Sequence, residues 1–167
     1  IRPEALSTDA ITQQSIISRF EREAQITASL QSQHTVELYD FGLSERGELY
    51  LVMELLSGID LESLVRRFNP LSQGRTIHIL RQICPSLAEA HCRNLVHRDI
   101  KPANIMLCKH ALTYDFVKVL DFGLAKGSLN FSAQSGGDHG NSDRSTFVGT
   151  PAYVAPEVIL GSKFVDG

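Results

Sequence analysis

Asp99, Lys101, Asn104 and Asp121 are the residues whose types and spacing could do chemistry. The first three fall within His97 to Asn104, H-R-D-I-K-P-A-N, which continues into the apolar Ile105 to Leu107. Asp121 closes the run V-K-V-L-D-F-G from Val117 to Gly123. Two short apolar runs separated by a polar bend read as strand, turn, strand. Such a hairpin would gather the four side chains at one edge. Two carboxylates and an amide can hold a hard cation or orient a hydroxyl, and one ammonium can face anionic oxygens. That is the minimum kit for moving a phosphoryl group. Taken singly, any of these residues could be part of an ordinary polar loop.

A third run, G-T-P-A-Y-V-A-P-E from Gly149 to Glu157, follows the first two. In this order the three motifs resemble the protein kinase family, and more narrowly the bacterial-type (eukaryotic-like) serine/threonine kinases. The resemblance implies an α+β, protein kinase-like two-lobed fold, truncated at both ends. The N-lobe would lack its glycine-rich loop and lysine strand, and the C-lobe would end before its central buried helix. Residues 1–55 would be the remnant of the N-lobe with the hinge, and residues 56–167 the first part of the C-lobe.

The same resemblance implies roles. Asp99 would orient the acceptor hydroxyl as base, and Lys101 would reach the transferring phosphoryl oxygens. Asn104 and Asp121 would be metal ligands for Mg2+ carried with ATP. Glu23 would be the helix glutamate that pairs with a strand lysine, although alone it could be a solvated surface residue. Met53 would stand at the back of the nucleotide site. The backbone of Glu54 to Leu56 would meet the adenine edge, and Met106 would form the floor beneath it. His97 would be structural, packed beside Phe122, with Thr27 and Leu38 extending that stack. Arg98 points to regulation by a phosphate on the activation segment, with Thr146 first and Ser145 second as acceptors. Thr150 would shape the hydroxyl pocket. The implied activity is transfer of the γ-phosphoryl group of ATP to protein serine or threonine hydroxyls, with the fragment inactive alone. The alternative is a pseudokinase or scaffold that binds partners without transfer.

These residues need elements to hold them. Asp9 to Gln31 reads as a helix with Ile16, Phe20, Ala24, Thr27 and Leu30 near one stripe, and Thr8 or Asp9 as its cap. Residues 1–8, marked by Pro3, read as an extended or turn-like entry. Val36 to Phe41 and Leu49 to Leu55 read as antiparallel strands joined at Ser44 to Gly47. Asp60 is placed to cap a helix from Leu61 to Phe68. A longer helix, Gln73 to Arg93, carries Ile77, Leu80, Cys84, Leu87 and His91 at helical spacing. Pro85 inside it predicts a kink or split near Arg81 to Pro85. Lys109 to Phe116 reads as the bend of the catalytic hairpin.

Composition sets outer bounds. The chain has 167 residues, suited to one domain, and a net charge of -3, so no basic field recruits nucleic acid. Its 3 cysteines have no C-x-x-C spacing, which fits neither a disulfide framework nor a zinc site and points to a cytoplasmic setting. Expected partners are protein substrates with serine or threonine acceptors. Autophosphorylation in trans, or dimerisation, would belong to the full-length protein.

Overall fold

A computed structural model describes residues 3–68, 70–122, 151–153 and 156, with side chains described from residue 13 onward. Among these residues three α-helices, α1 (Pro3–Ala28), α2 (Leu61–Phe68) and α3 (Gln73–Cys92), accompany five strands. β1 (Leu38–Leu43) pairs antiparallel with β2 (Leu49–Met53), while β3 (Gly58–Asp60), β4 (Ile105–His110) and β5 (Thr113–Val119) form a second antiparallel sheet in that order.

α1 starts well before the expected Asp9. Pro3 is its first residue, where the missing N–H costs nothing because a first-turn N–H has no helical partner. Thr8 and Asp9 therefore lie inside the helix and do not cap it. The expected stripe is correct in its middle: Phe20, Ala24 and Thr27 are buried. Leu38, Phe41, Leu49 and Leu51 pack against Phe20 and Ala24, so α1 lies across one face of the two-stranded sheet. The turn between β1 and β2 closes by Ser44 N–H to Glu48 O and Gly47 N–H to Ser44 O, with Gly47 at φ +77°.

α2 has the expected bounds, and its cap is the expected one. The Ser63 N–H donates to Asp60 Oδ1 at 2.8 Å, which satisfies one of the N–H groups a helix start leaves unpaired. The Ser63 hydroxyl first, and this N–H second, favour the ionised form and hold the Asp60 carboxyl below the usual range.

α3 begins with Ser72, whose Oγ accepts from Arg75 N–H. Its end is a Schellman closure: Leu95 N–H returns to Ala90 O and Asn94 N–H to His91 O, with Asn94 at φ 57°. The expected face of α3 is corrected. Ile79, Ile83, Ser86 and Ala90 are the buried positions, whereas Ile77, Leu80 and Cys84 are exposed. The expected split at Pro85 is absent, because the helix runs unbroken through it with the proline on the exposed side. There the ring meets solvent, and only one backbone bond is lost.

The hairpin of β4 and β5 is also tighter than expected. β4 and β5 extend into the anticipated bend, leaving a turn at Ala111 and Leu112 with Ala111 at φ 51°. Alternation along the pair sends Ile105, Leu107, Val117 and Val119 into the main core with Ile79, Ile83 and Phe122. β3 was not anticipated. It pairs Gly58 with Cys108, Ile59 with Leu107 and Asp60 with Met106. A Cβ on Gly58 would lie 2.3 Å from Leu107 O, so only glycine allows this approach.

The outer edge of β5 is sealed without a strand. Gln82 of α3 donates through Nε2 to Asp115 O and accepts from Val117 N–H at Oε1. The His34 ring nitrogen Nδ1 donates to Val117 O, and Val119 exchanges bonds with His34 O and Val36 N–H. Val36 was expected to open the first strand. It serves this edge instead, and β1 starts two residues later at Leu38.

Candidate active site

The loop that follows α3 is short and braced. The Schellman closure delivers Leu95 into the core, and the fully enclosed His97 follows. Its Nδ1 accepts from Asp99 N–H at 3.3 Å, so the proton sits on Nε2, which donates to Leu120 O at 2.8 Å. Burial pushes the His97 pKa down, which keeps the ring neutral and preserves Nδ1 as an acceptor. The ring rests against Phe122 with centroids 4.8 Å apart. His97 is thus a spacer that ties Asp99 to the residue preceding Asp121.

The polar cluster closes around Asp99. Lys101 Nζ lies 3.0 Å from Asp99 Oδ2. Asn104 Nδ2 donates to Asp99 O at 2.9 Å and lies 3.4 Å from Asp99 Oδ2. Asn104 sits at the end of a single 3₁₀ turn, Pro102–Asn104, and its backbone O accepts from Leu120 N–H at 2.9 Å. Leu120 is therefore held by His97 and Asn104 together, and Asp121 follows directly. Asp99 and Asp121 both act electrostatically on the His97 ring. Arg98 and Asp121 adopt φ of 62° and 54°, a region uncommon for residues with a side chain. Such backbone persists where surrounding bonds enforce it, as they do here.

Glu23 reaches this loop from α1. Its carboxylate pairs with Arg19 at 3.2 Å and meets Arg98 Nη1 at 3.4 Å. Thr27, one turn on, is buried and donates its hydroxyl to Glu23 O. Leu38 leaves the expected stack and packs with Phe20 and Ala24 instead. Met53 ends β2 half-buried. Glu54 N–H is committed to Glu37 O, so the Glu54 carbonyl and the backbone of Leu55 and Leu56 are what that stretch can offer a ligand. The Glu54 side chain, invisible as a functional group in the sequence, accepts from Glu37 N–H and pairs with Lys118 Nζ. Lys118 also donates to Thr35 O, bracing the end of β2 against β5. Met106 lies opposite Lys118 and Asp60 on the face away from Ile105 and Leu107. Ser145, Thr146 and Thr150 lie outside the described residues.

The described part of the site fits a magnesium-bound nucleotide in its donor chemistry. Among the described residues no group of three or more His, Cys, Asp or Glu forms a self-sufficient metal cage. Magnesium characteristically takes one or two protein oxygens and completes its shell with phosphates and water. Asn104 uses its NH2 end on Asp99, so its oxygen is the end suited to a cation.

Comparison with known proteins adds the deciding observation: the family described as "Protein kinase domain" matches residues 5–166. The chain belongs to the protein kinase domain family. This kinase domain is 40% identical over 148 residues to the serine/threonine-protein kinase pkn3 of Myxococcus xanthus, covering 88% of this chain and 26% of that one. It is 36% identical over 154 residues to PknE of Mycobacterium tuberculosis, covering 92% and 24%. The kinase domain thus spans about a quarter of the length of these relatives. Among solved structures, a double mutant of the Mycobacterium tuberculosis PknI kinase domain matches with a TM-score of 0.65 at 28% identity, over 91% of this chain and 51% of that one. Rad53 in complex with AMP-PNP matches with a TM-score of 0.65 at 32% identity, over 84% and 32%. The mixed α/β architecture is that of a two-lobed kinase. Among the described residues no helix is long and apolar enough to cross a membrane.

Proposed function

We propose that this kinase domain is the catalytic segment of a serine/threonine protein kinase that moves the γ-phosphoryl group of ATP onto protein hydroxyls. The observation that carries the reading is the cluster in which Lys101 and Asn104 both hold Asp99, while Asn104 fixes the backbone leading into Asp121. Asp99 orients the acceptor hydroxyl and takes its proton. Lys101 offsets charge on the transferring group. Asn104 and Asp121 hold magnesium, and the bound nucleotide supplies the phosphoryl group and the remaining oxygen ligands. Glu23 is the helix glutamate that pairs with a strand lysine in the complete domain. Met53, Met106 and the 54–56 backbone frame the base. In this reading residues 1–55 belong to the N-lobe and 56–167 to the C-lobe. Thr150 shapes the acceptor pocket, and Arg98 pairs with a phosphate carried by Thr146 or Ser145. Protein substrates in a cytoplasmic setting complete the proposal.

The test is Asp99→Asn in the full-length protein, assayed with ATP, magnesium and a serine/threonine peptide. General-base loss lowers kcat by about 10²–10⁴-fold. Nucleotide affinity should stay within about threefold, because Asp99 faces the acceptor. Wild-type protein that binds nucleotide yet transfers nothing would instead establish the scaffold reading.

A further inference from the structure

Glu89 stands on α3, far in sequence from everything it touches. Its carboxylate accepts Gln31 N–H at 2.8 Å and Ser32 N–H at 2.7 Å. These amides follow the last turn of α1, whose own backbone bonds end with Leu30 N–H to Thr27 O. Arg93, one turn along α3, pairs with the same carboxylate at 3.0 Å and donates to Ser29 Oγ at 2.6 Å. One turn earlier, the buried Ser86 hydroxyl bonds Thr35 Oγ1 at 2.7 Å. Three successive positions on one face of α3 therefore grip the segment that connects α1 to β1.

The same end of α3 leads directly into the catalytic loop through its Schellman closure. One helix end thus holds both the loop bearing Asp99 and the stem of the helix bearing Glu23. We infer that Glu89 is a positioning residue for phosphoryl transfer, setting the rotation of α1 and with it the placement of Glu23 over the catalytic loop. A side chain on a helix rim lies about 5–6 Å from the axis, so a rotation of about 20° displaces it by about 2 Å. A misplacement of about 1 Å can cost about 10²-fold in rate. Two charge-assisted bonds to backbone amides are strong enough to resist such a turn. This role rests on the kinase reading above, because it acts through Glu23.

The experiment uses the full-length protein with ATP, magnesium and a serine/threonine peptide. It compares wild type, Glu89→Ala, Glu89→Gln, Glu23→Ala and the Glu23→Ala/Glu89→Ala double variant. Glu89→Ala should lower kcat about tenfold while leaving KM for the peptide within about twofold. The double variant should be no slower than Glu23→Ala alone, since the two act in series. Amide exchange at Gln31 and Ser32 should accelerate in Glu89→Ala. Glu89→Gln retains shape and one acceptor oxygen and should fall between, read well below its melting midpoint. Multiplying rate losses, or an unchanged kcat with accelerated exchange, would overturn the positioning role and leave the kinase reading intact. Absence of transfer by wild type would overturn both.

Discussion

Replacing Gly58 with alanine should loosen the sheet beneath the proposed nucleotide site. A Cβ there would sit 2.3 Å from Leu107 O, 2.9 Å from Leu107 C and 3.0 Å from Cys108 Cα. All three are backbone atoms, so no side chain can swing aside and β3 must move away from β4. Overpacking of this kind costs about 1–3 kcal/mol. Losing one or two cross-strand hydrogen bonds adds about 1 kcal/mol each. The smaller freedom of the unfolded alanine chain returns about 0.4–1 kcal/mol. The net expectation is a destabilisation of about 2–3 kcal/mol. β3 pairs Asp60 directly with Met106, so the shift should also weaken nucleotide affinity, while kcat at saturating ATP changes little. Urea unfolding and nucleotide titration of the full-length protein measure the two effects. A Gly58→Ala protein with an unchanged urea midpoint and unchanged nucleotide affinity would refute the argument.

Two further outcomes concern pH. The folded pKa of His97 is lowered by burial, so the unfolded chain binds a proton first as pH falls. Stability contributed by neutral His97 is full above about pH 6.5 and is lost as pH falls toward the folded value. The urea midpoint should drop between about pH 7 and about pH 5, and His97→Asn should flatten that drop. The Asp115 carboxylate is held below its usual range, first by its bonds from Arg75 at 2.7 and 2.8 Å. Its contribution is present above about pH 4 and is lost as pH falls through the lowered value. Asp115→Asn should cost about 1 kcal/mol at neutral pH, after allowance for the solvent exposure of Arg75, and thermal melting at pH 7 and pH 3 checks it.

The contacts among Asp99, Lys101 and Asn104 were legible because the three sit within six residues of one polar loop ahead of an alternating strand. The bounds of α2 were legible because Asp60 signals its own helix start. What escaped reading depends on distant partners. α3 carries apolar residues on two faces, Ile77, Leu80 and Cys84 on one and Ile79 and Ile83 on the other. Periodicity cannot say which of them meets the sheet. The winning face includes Ser86 and Ala90, small residues that let α1's connecting segment and the sheet come close. β3 is only Gly58–Asp60, and its register follows from a close backbone approach rather than a pattern. The tight turn went unseen because Ala111 takes φ of 51° without the glycine that usually marks such bends. Glu89 left no trace because its partners are main-chain amides 57 and 58 residues away.

The border of β5 has one more implication. A glutamine side chain bears the same donor and acceptor as a peptide unit, and Gln82 fills that role beside Asp115 and Val117. The three-stranded sheet is thereby denied a further recruit: a stray extended chain would find its docking positions already taken. Helix and ring impersonate a neighbour, so the hairpin that carries Asn104 and leads to Asp121 resists templated misassembly on its outer flank.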